Sequence, residues 1–206
     1  MNVLAYGDRA LLVELGDTAT VVAWTDAVGQ ARLPGVEDLV PAAETLLVVC
    51  SEHADVAAVR QRLGGLHVEK GSAAPEREGE VLRIPVSYDG PDLADVARLT
   101  GLDEDEVVEA HTGSTWRVAF GGFAPGFGYL VGGDPRLEVP RRDESRTRVP
   151  AGAVGLAGTF SGVYPRESPG GWQLIGTTAA PMWDVSRDPP ALLVPGARVR
   201  FTVAGR

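Results

Sequence analysis

The sequence predicts an α+β N-terminal domain followed by a mainly β domain. Three observations predict it. Residues 1–69 alternate short apolar runs with helical patterns, residues 70–80 are polar and carry no apolar periodicity, and 14 of the 26 glycines fall between Gly113 and Gly176 among short β-prone pieces. Many short strands with turn signals between them are the pattern of a barrel or a sandwich. The expected domains are residues 1–78 and 79–206, with "KGSAAPEREGE" at 70–80 as the linker.

In the first domain, "NVLAYGD" and "ALLVELG" read as strands joined by a turn at Gly7-Asp8-Arg9. Asp17 or Thr18 can cap a helix from Ala19 to about Ala31, which "LPG" stops. "VEDLVPAA" and "TLLVVC" are the next strands, and "SEHADVAAVRQRLGG" is a capped helix ended by two glycines. The second domain opens with the strand "VLRIPVSY" and two short helices, "PDLADVARLTG" and "DEDEVVEAH". The latter places acids in its first turn, where they favour the helix dipole. "TWRVAF", "AVGLAG", "GWQLIGTT", "ALLVP" and "RVRFTVA" are the expected strands beyond.

The chain has 206 residues, 44% of them hydrophobic and 23% charged, which is ordinary for a globular protein. A net charge of -9 disfavours general binding to nucleic acid or acidic membranes, because both repel such a surface. No apolar run approaches the roughly 18 residues of a membrane span, and the N-terminus lacks the layout of a signal peptide, so a cytoplasmic location is expected. Cys50 ends an apolar run and reads as a buried strand thiol.

Several catalytic signatures are absent. The single lysine, Lys70, follows Glu69 rather than a glycine, so there is no Walker A loop. Gly126, Gly128 and Gly132 miss the dinucleotide spacing, and no Gly-x-Ser-x-Gly elbow occurs. His53, His67 and His111 are too scattered for a zinc site, so no metal ligands are assigned.

Three features stand out instead. "FGGFAPGFGYL", residues 120–130, holds four glycines among three phenylalanines, Tyr129 and Pro125. Arg136, Arg141, Arg142, Arg146 and Arg148 put five arginines within thirteen residues of an acidic protein. "YPRESPGGWQLIG" again combines aromatics, prolines and paired glycines. A guanidinium offers a planar fork of donors to carboxylate or phosphate oxygens, and glycines let backbone N–H groups approach an anion. Aromatics such as Tyr129, Tyr164 and Trp172 can flank a flat ligand. Together these residues can form an anion-binding cleft at one mouth of the barrel. The arginines can equally pair with Glu138, Asp143 and Glu144, and glycine with aromatics is also how small barrels turn corners. His111 sits where a helix end would favour it through the dipole.

"GFAPGFGYL", "PR" at 135–136, "VPAGAVGLAG" and "YPRESPGGWQLIGTT" occur in that order. They closely resemble the family that includes the 5-oxoprolinase subunit PxpB, the sporulation kinase inhibitor KipI and allophanate hydrolase subunit 1. "YGDRALLVELGD", "LPGVEDLVPAAETLLV" and "IPVSYDGPDLADVA" extend the likeness over nearly the whole chain. The sequence departs from the family pattern at Ala153, where serine is common, at Thr177, where arginine is common, and in the acidic "PRRDESRTRVP".

The resemblance implies a cyclophilin-like β-barrel in the second domain. It also implies a subunit of an ATP-dependent 5-oxoprolinase that opens 5-oxoproline to glutamate and is inactive alone. The partners it implies are a homologous second barrel subunit (PxpC-like) and a LamB/YcsF-like PxpA subunit, with ATP and magnesium shared among them. On that reading Arg136, Arg141 and Arg148 hold phosphate or the substrate carboxylate. Backbone N–H groups at Gly126, Gly170 and Gly171 assist, Pro125, Phe127, Tyr129, Tyr164 and Trp172 shape the cleft, and His111 is a candidate for proton transfer. Two alternatives stay open: allophanate or urea-related chemistry on the same module, and a KipI-like binding protein that inhibits a histidine kinase.

Overall fold

The computed structural model describes residues 1–69 and 81–205. The expected linker at 70–80 and the expected domain boundary therefore lie outside the described residues. Contacts gather the chain into two compact units, Met1–Gly79 and Glu80–Arg206.

The first unit runs β1 (Asn2–Tyr6), β2 (Ala10–Glu14), α1 (Thr18–Ala31), β3 (Val36–Pro41), β4 (Thr45–Cys50) and α2 (Val56–Gly64). Its antiparallel sheet has the order β1-β2-β4-β3. Period-two alternation in β2 and β4 sends Leu11, Val13, Leu46, Val48 and Cys50 to one face. There they meet Trp24 and Val28 of α1 and Val59 and Leu63 of α2, each pair four residues apart on one helix stripe. Asp17 and Asp55 cap the two helices by accepting from Thr20 N–H and Ala58 N–H. Cys50 is fully buried.

The second unit begins with β5 (Leu82–Val86), α3 (Leu93–Thr100), α4 (Glu104–Gly113), β6 (Trp116–Gly121), β7 (Gly128–Val131) and a 3-10 turn, Pro135–Leu137. β8 (Arg146–Val149), β9 (Ala153–Ala157), β10 (Phe160–Val163), β11 (Ser168–Gly170), β12 (Gln173–Thr177) and β13 (Arg198–Val203) complete it. α4 starts with a capping box: Asp103 accepts from Glu106 N–H at 2.8 Å while the Glu106 carboxylate accepts from Asp103 N–H at 2.9 Å.

Seven strands form one sheet, β12-β9-β10-β7-β6-β13-β5, antiparallel except for the β13–β5 pair. Ser87, just beyond β5, exchanges two hydrogen bonds of 2.8 Å with Thr177 on β12. That bridge joins the two edge strands, so the sheet is a nearly closed barrel. The expected "ALLVP" strand does not form. Prolines 189, 190 and 195 supply no N–H to a ladder, and only a single bridge, Trp183 to Ala191, marks the segment. Among the described residues no helix is long and apolar enough to cross a membrane.

Alternation in the barrel strands separates two apolar clusters. Val154 and Leu156 of β9, Val163 of β10, Leu130 of β7 and Ile175 of β12 face the interior with Phe201 and Ile84. Ala153 and Ala157 of β9 face the other way, with Phe127, Tyr164, Trp172 and Leu174. An aromatic layer therefore lies on the outer surface of the barrel wall, beside the β8–β11 ribbon.

Candidate functional site

The outer aromatic layer encloses a cavity of about 550 Å³ lined by Phe123, Phe127, Tyr129, Phe160, Tyr164 and Trp172, with Pro140, Arg141, Ser145, Ala157, Gly158, Pro169 and Gly170. It opens on the barrel's flank rather than at its mouth, because Tyr129 of β7, Ala157 of β9 and Phe160 of β10 line it from the outward register of their strands. A volume of this size falls in the range of small-molecule sites.

Glycines make room for the rings. A Cβ on Gly162 would stand 2.9 Å from Phe127 and 3.1 Å from Trp172, and one on Gly170 would collide with the Tyr164 hydroxyl. Phe127 meets Trp172 edge-on at 5.4 Å and 88°, and meets Tyr164 at 5.5 Å and 75°. Tyr129 stacks on Phe120 at 4.5 Å and 21°. Such edge-to-face and offset contacts are the favoured arrangements of aromatic pairs, so each ring of the wall is held by its neighbours. Burial raises the phenol pKa of both Tyr129 and Tyr164, an effect that the nearby Arg141 charge partly opposes. Both phenols are neutral donors at pH 7.

The arginine cluster divides by role. A single carboxylate, Asp92, is buried and anchors two of its members. Oδ1 accepts from Arg142 and Arg146 at 2.7 Å each, and Oδ2 accepts from Arg146 at 2.9 Å and from Leu174 N–H at 2.7 Å. Arg136 lies outside the cavity, forked onto Asp134, whose carboxyl it holds below the ordinary aspartate range by hydrogen bonding. Arg148 is exposed and pairs with Glu167 at 2.6 Å. Arg141 alone among the five lines the cavity, and among the described residues no hydrogen bond or ion pair engages its guanidinium.

Of the residues expected at the site, the structure brings together Phe127, Tyr129, Arg141, Tyr164, Gly170 and Trp172. Gly171 lies just behind, where a Cβ would meet Ser145 Oγ at 2.7 Å. Gly126, at φ +86°, packs under Met182 and Trp183, and Pro125 is exposed at the β6–β7 turn. Arg136 and Arg148 are tied elsewhere. The pairing expected for the cluster with Glu138, Asp143 and Glu144 is replaced by pairing with Asp92, Asp134 and Glu167.

His111 stands apart from the cavity. It is fully buried in the barrel interior and stacked on Phe201 at 4.3 Å. Its Nδ1 lies 2.7 Å from the Tyr88 hydroxyl and its Nε2 lies 2.9 Å from Ser161 Oγ. Burial drives its pKa down to about 3, so the ring is neutral at pH 7 and both nitrogens are occupied. A proton-transfer role in the cavity has no geometric support.

Sequence reasoning missed Phe123, Ser145, Phe160 and Asp92. Phe123 and Phe160 carry a signal in their alternation with the other rings. Asp92 carries only that of a residue at the start of a helix. No sequence pattern shows its carboxylate turning inward to meet arginines fifty and fifty-four positions away.

Comparison with known proteins agrees with this architecture. The model of the family "Carboxyltransferase domain, subdomain C and D" matches residues 1–193. The chain is 41% identical over 203 residues to the 5-oxoprolinase B subunit of Escherichia coli O157:H7, covering 95% of this chain and 92% of that one. It is 34% identical to the corresponding B subunit of 5-oxoprolinase from Haemophilus influenzae, over 100% and 99% of the two chains. Urea amidolyase of Saccharomyces cerevisiae is 30% identical over 140 residues, which is 64% of this chain and 8% of that protein. The crystal structure of TTHA0988 superposes with a TM-score of 0.75 at 38% identity, covering 96% of this chain. This chain spans only 41% of that longer one. The shared motifs, the matched length and the common fold place the chain in the carboxyltransferase-domain C and D family, together with the 5-oxoprolinase B subunits.

Proposed function

We propose that this chain is the B component of an ATP-dependent 5-oxoprolinase, which opens the lactam of 5-oxoproline to glutamate as ATP becomes ADP and phosphate. Its partners in this reading are a homologous second barrel subunit and a LamB/YcsF-like subunit, assembled in the cytoplasm. One observation carries the reading at the level of the site: a ring-walled cavity holds a single guanidinium that forms no ion pair or hydrogen bond among the described residues. A small flat ring bearing a carboxylate suits that combination. Arg141 takes the carboxylate as a charge-assisted pair, and Phe127, Tyr129, Tyr164 and Trp172 flank the lactam. The neutral phenols of Tyr129 and Tyr164 are donors within the same wall.

An amide resists hydrolysis through resonance, so the carbonyl needs activation, which the nucleotide supplies in the assembled enzyme. The cavity itself does not fit a triphosphate. One free guanidinium does not balance several phosphate charges, and Arg136 and Arg148 are engaged outside it. The nucleotide phosphates and magnesium are therefore assigned to groups that a partner contributes. This chain binds and orients the substrate, and the isolated chain is inactive.

The test is reconstitution of the chain with its neighbouring subunits while glutamate and ADP are followed from 5-oxoproline. ATP-dependent turnover supports the proposal, and an intact assembly that yields neither product overturns it. The relation to urea amidolyase favours urea-related amide chemistry as the second reading. Urea or allophanate offered to the same assembly separates the two.

A further inference from the structure

Phe123 combines two features that the fold does not require. Its φ is +64°, in the left-handed region that a residue with a Cβ enters at a cost of roughly 1–2 kcal/mol. The residue is also 57% exposed, although it carries a large apolar ring. The local geometry explains the first feature. Ala124 N–H bonds back to the Gly122 carbonyl at 2.6 Å, closing a three-residue turn with Phe123 at its centre. With a positive φ at its centre this is the rarer, strained form of such a turn. The turn is locked from both sides, since Phe127 N–H donates to Ala124 O at 2.9 Å and Gly122 N–H donates to Phe127 O at 3.3 Å.

Gly121 and Gly122 immediately precede this position in the chain, so a glycine at the strained centre would be a minimal change in composition. A phenylalanine is there instead, and the conformation aims its ring at the cavity. The ring lies edge-on to Phe127 at 5.3 Å and 72°, and to Tyr164 at 5.9 Å and 84°. Those two residues form the buried floor of the aromatic wall, so Phe123 extends the wall outward to its rim. Phe123 lines the cavity and more than half of its surface is exposed, so part of the ring is available to a ligand.

We propose that Phe123 is a specificity-determining residue whose strained turn holds its ring over the cavity as the outer aromatic face against a bound flat, carboxylate-bearing ring. The inference rests on the reading of the cavity as a small-molecule site. Its ligand class is wider than 5-oxoproline, because the recognition chemistry is a planar ring beside the Arg141 guanidinium.

The experiment compares the full chain with Phe123→Gly and Phe123→Tyr, using 5-oxoproline and benzoate as separate probes in titration calorimetry, with a thermal melt of each variant. Loss of one aromatic face should weaken binding of whichever probe the parent chain binds by about tenfold in Phe123→Gly, and Phe123→Tyr should restore it. The Phe123→Gly melting temperature should stay within about 3 °C of the parent, because glycine relieves the positive φ while the lost ring contacts are partial. Unchanged affinity, or a fall of about 10 °C in the melt without rescue of binding by tyrosine, overturns the proposal. If the parent binds benzoate but not 5-oxoproline, the proposed substrate fails while the role of Phe123 is still decided by benzoate. A parent that binds neither overturns both.

Discussion

Asp92→Ala tests what positions the cavity wall. The carboxylate is almost completely buried and accepts from two arginines and from the Leu174 backbone. Through Arg142 and Arg146 it ties down the segment that carries Arg141 and Ser145 to the cavity, and Arg142 N–H also bonds to Gly171 O at 2.8 Å. Removing it leaves the buried Leu174 N–H without that acceptor, which costs about 1–3 kcal/mol. It also strips the counter-charge from two guanidinium groups, and breaking a buried pair from one side costs about 3–5 kcal/mol. The arginines are 32% and 23% exposed and regain some hydration, so the lower part of that range applies. We therefore expect a loss of about 4 kcal/mol, or roughly 15 °C in the melting temperature of a unit of this size. The assay is thermal unfolding followed by near-ultraviolet circular dichroism, in which Trp116, Trp172 and Trp183 report on the second unit. A shift below about 3 °C would show that the clamp contributes little, and would refute the claim that it holds the Arg141 segment in place.

Arg141→Ala should weaken 5-oxoproline binding at least tenfold in calorimetry, the scale of a charge-assisted hydrogen bond, while the melting temperature moves by less than about 2 °C because the side chain is exposed and has no ion-pair partner among the described residues. Equal losses of affinity and stability would instead make it a structural residue. His111 predicts an acid dependence of stability. Its folded pKa of about 3 lies below the ordinary histidine value near 6.5, so the unfolded chain takes up a proton first as pH falls. The stability it contributes is whole above pH 6.5 and is lost progressively toward pH 3, amounting to about 2 kcal/mol by pH 5. His111→Gln removes that titration, so its melting temperature should fall less steeply between pH 7 and pH 5 than the parent's. Parallel slopes would contradict the burial argument.

The local order of the chain was legible without coordinates. The strand and helix succession of residues 1–69 follows from period-two runs, aspartate caps and glycine stops, signals that act within a few residues of one another. The rings and glycines of 120–130 and 164–176 marked the site for the same reason. What local pattern does not carry is direction. Five arginines in thirteen residues look alike in sequence, yet Asp92, held beside β12 at the start of α3, takes Arg142 and Arg146 and leaves Arg141 facing the cavity. His111 shares its helix-end signal with any dipole-favoured residue, and only the closure of the barrel around it makes it a neutral core group. The register of β7 and β10, set by pairing between strands, turned Tyr129 and Phe160 to the barrel's outer wall rather than to its mouth. Composition and spacing thus determined where rings, glycines and arginines concentrate along the chain, and left open whether they build a cleft or a barrel corner. Tertiary structure decided which residues face the cavity, because burial and charge pairing depend on neighbours that the chain brings together only on folding.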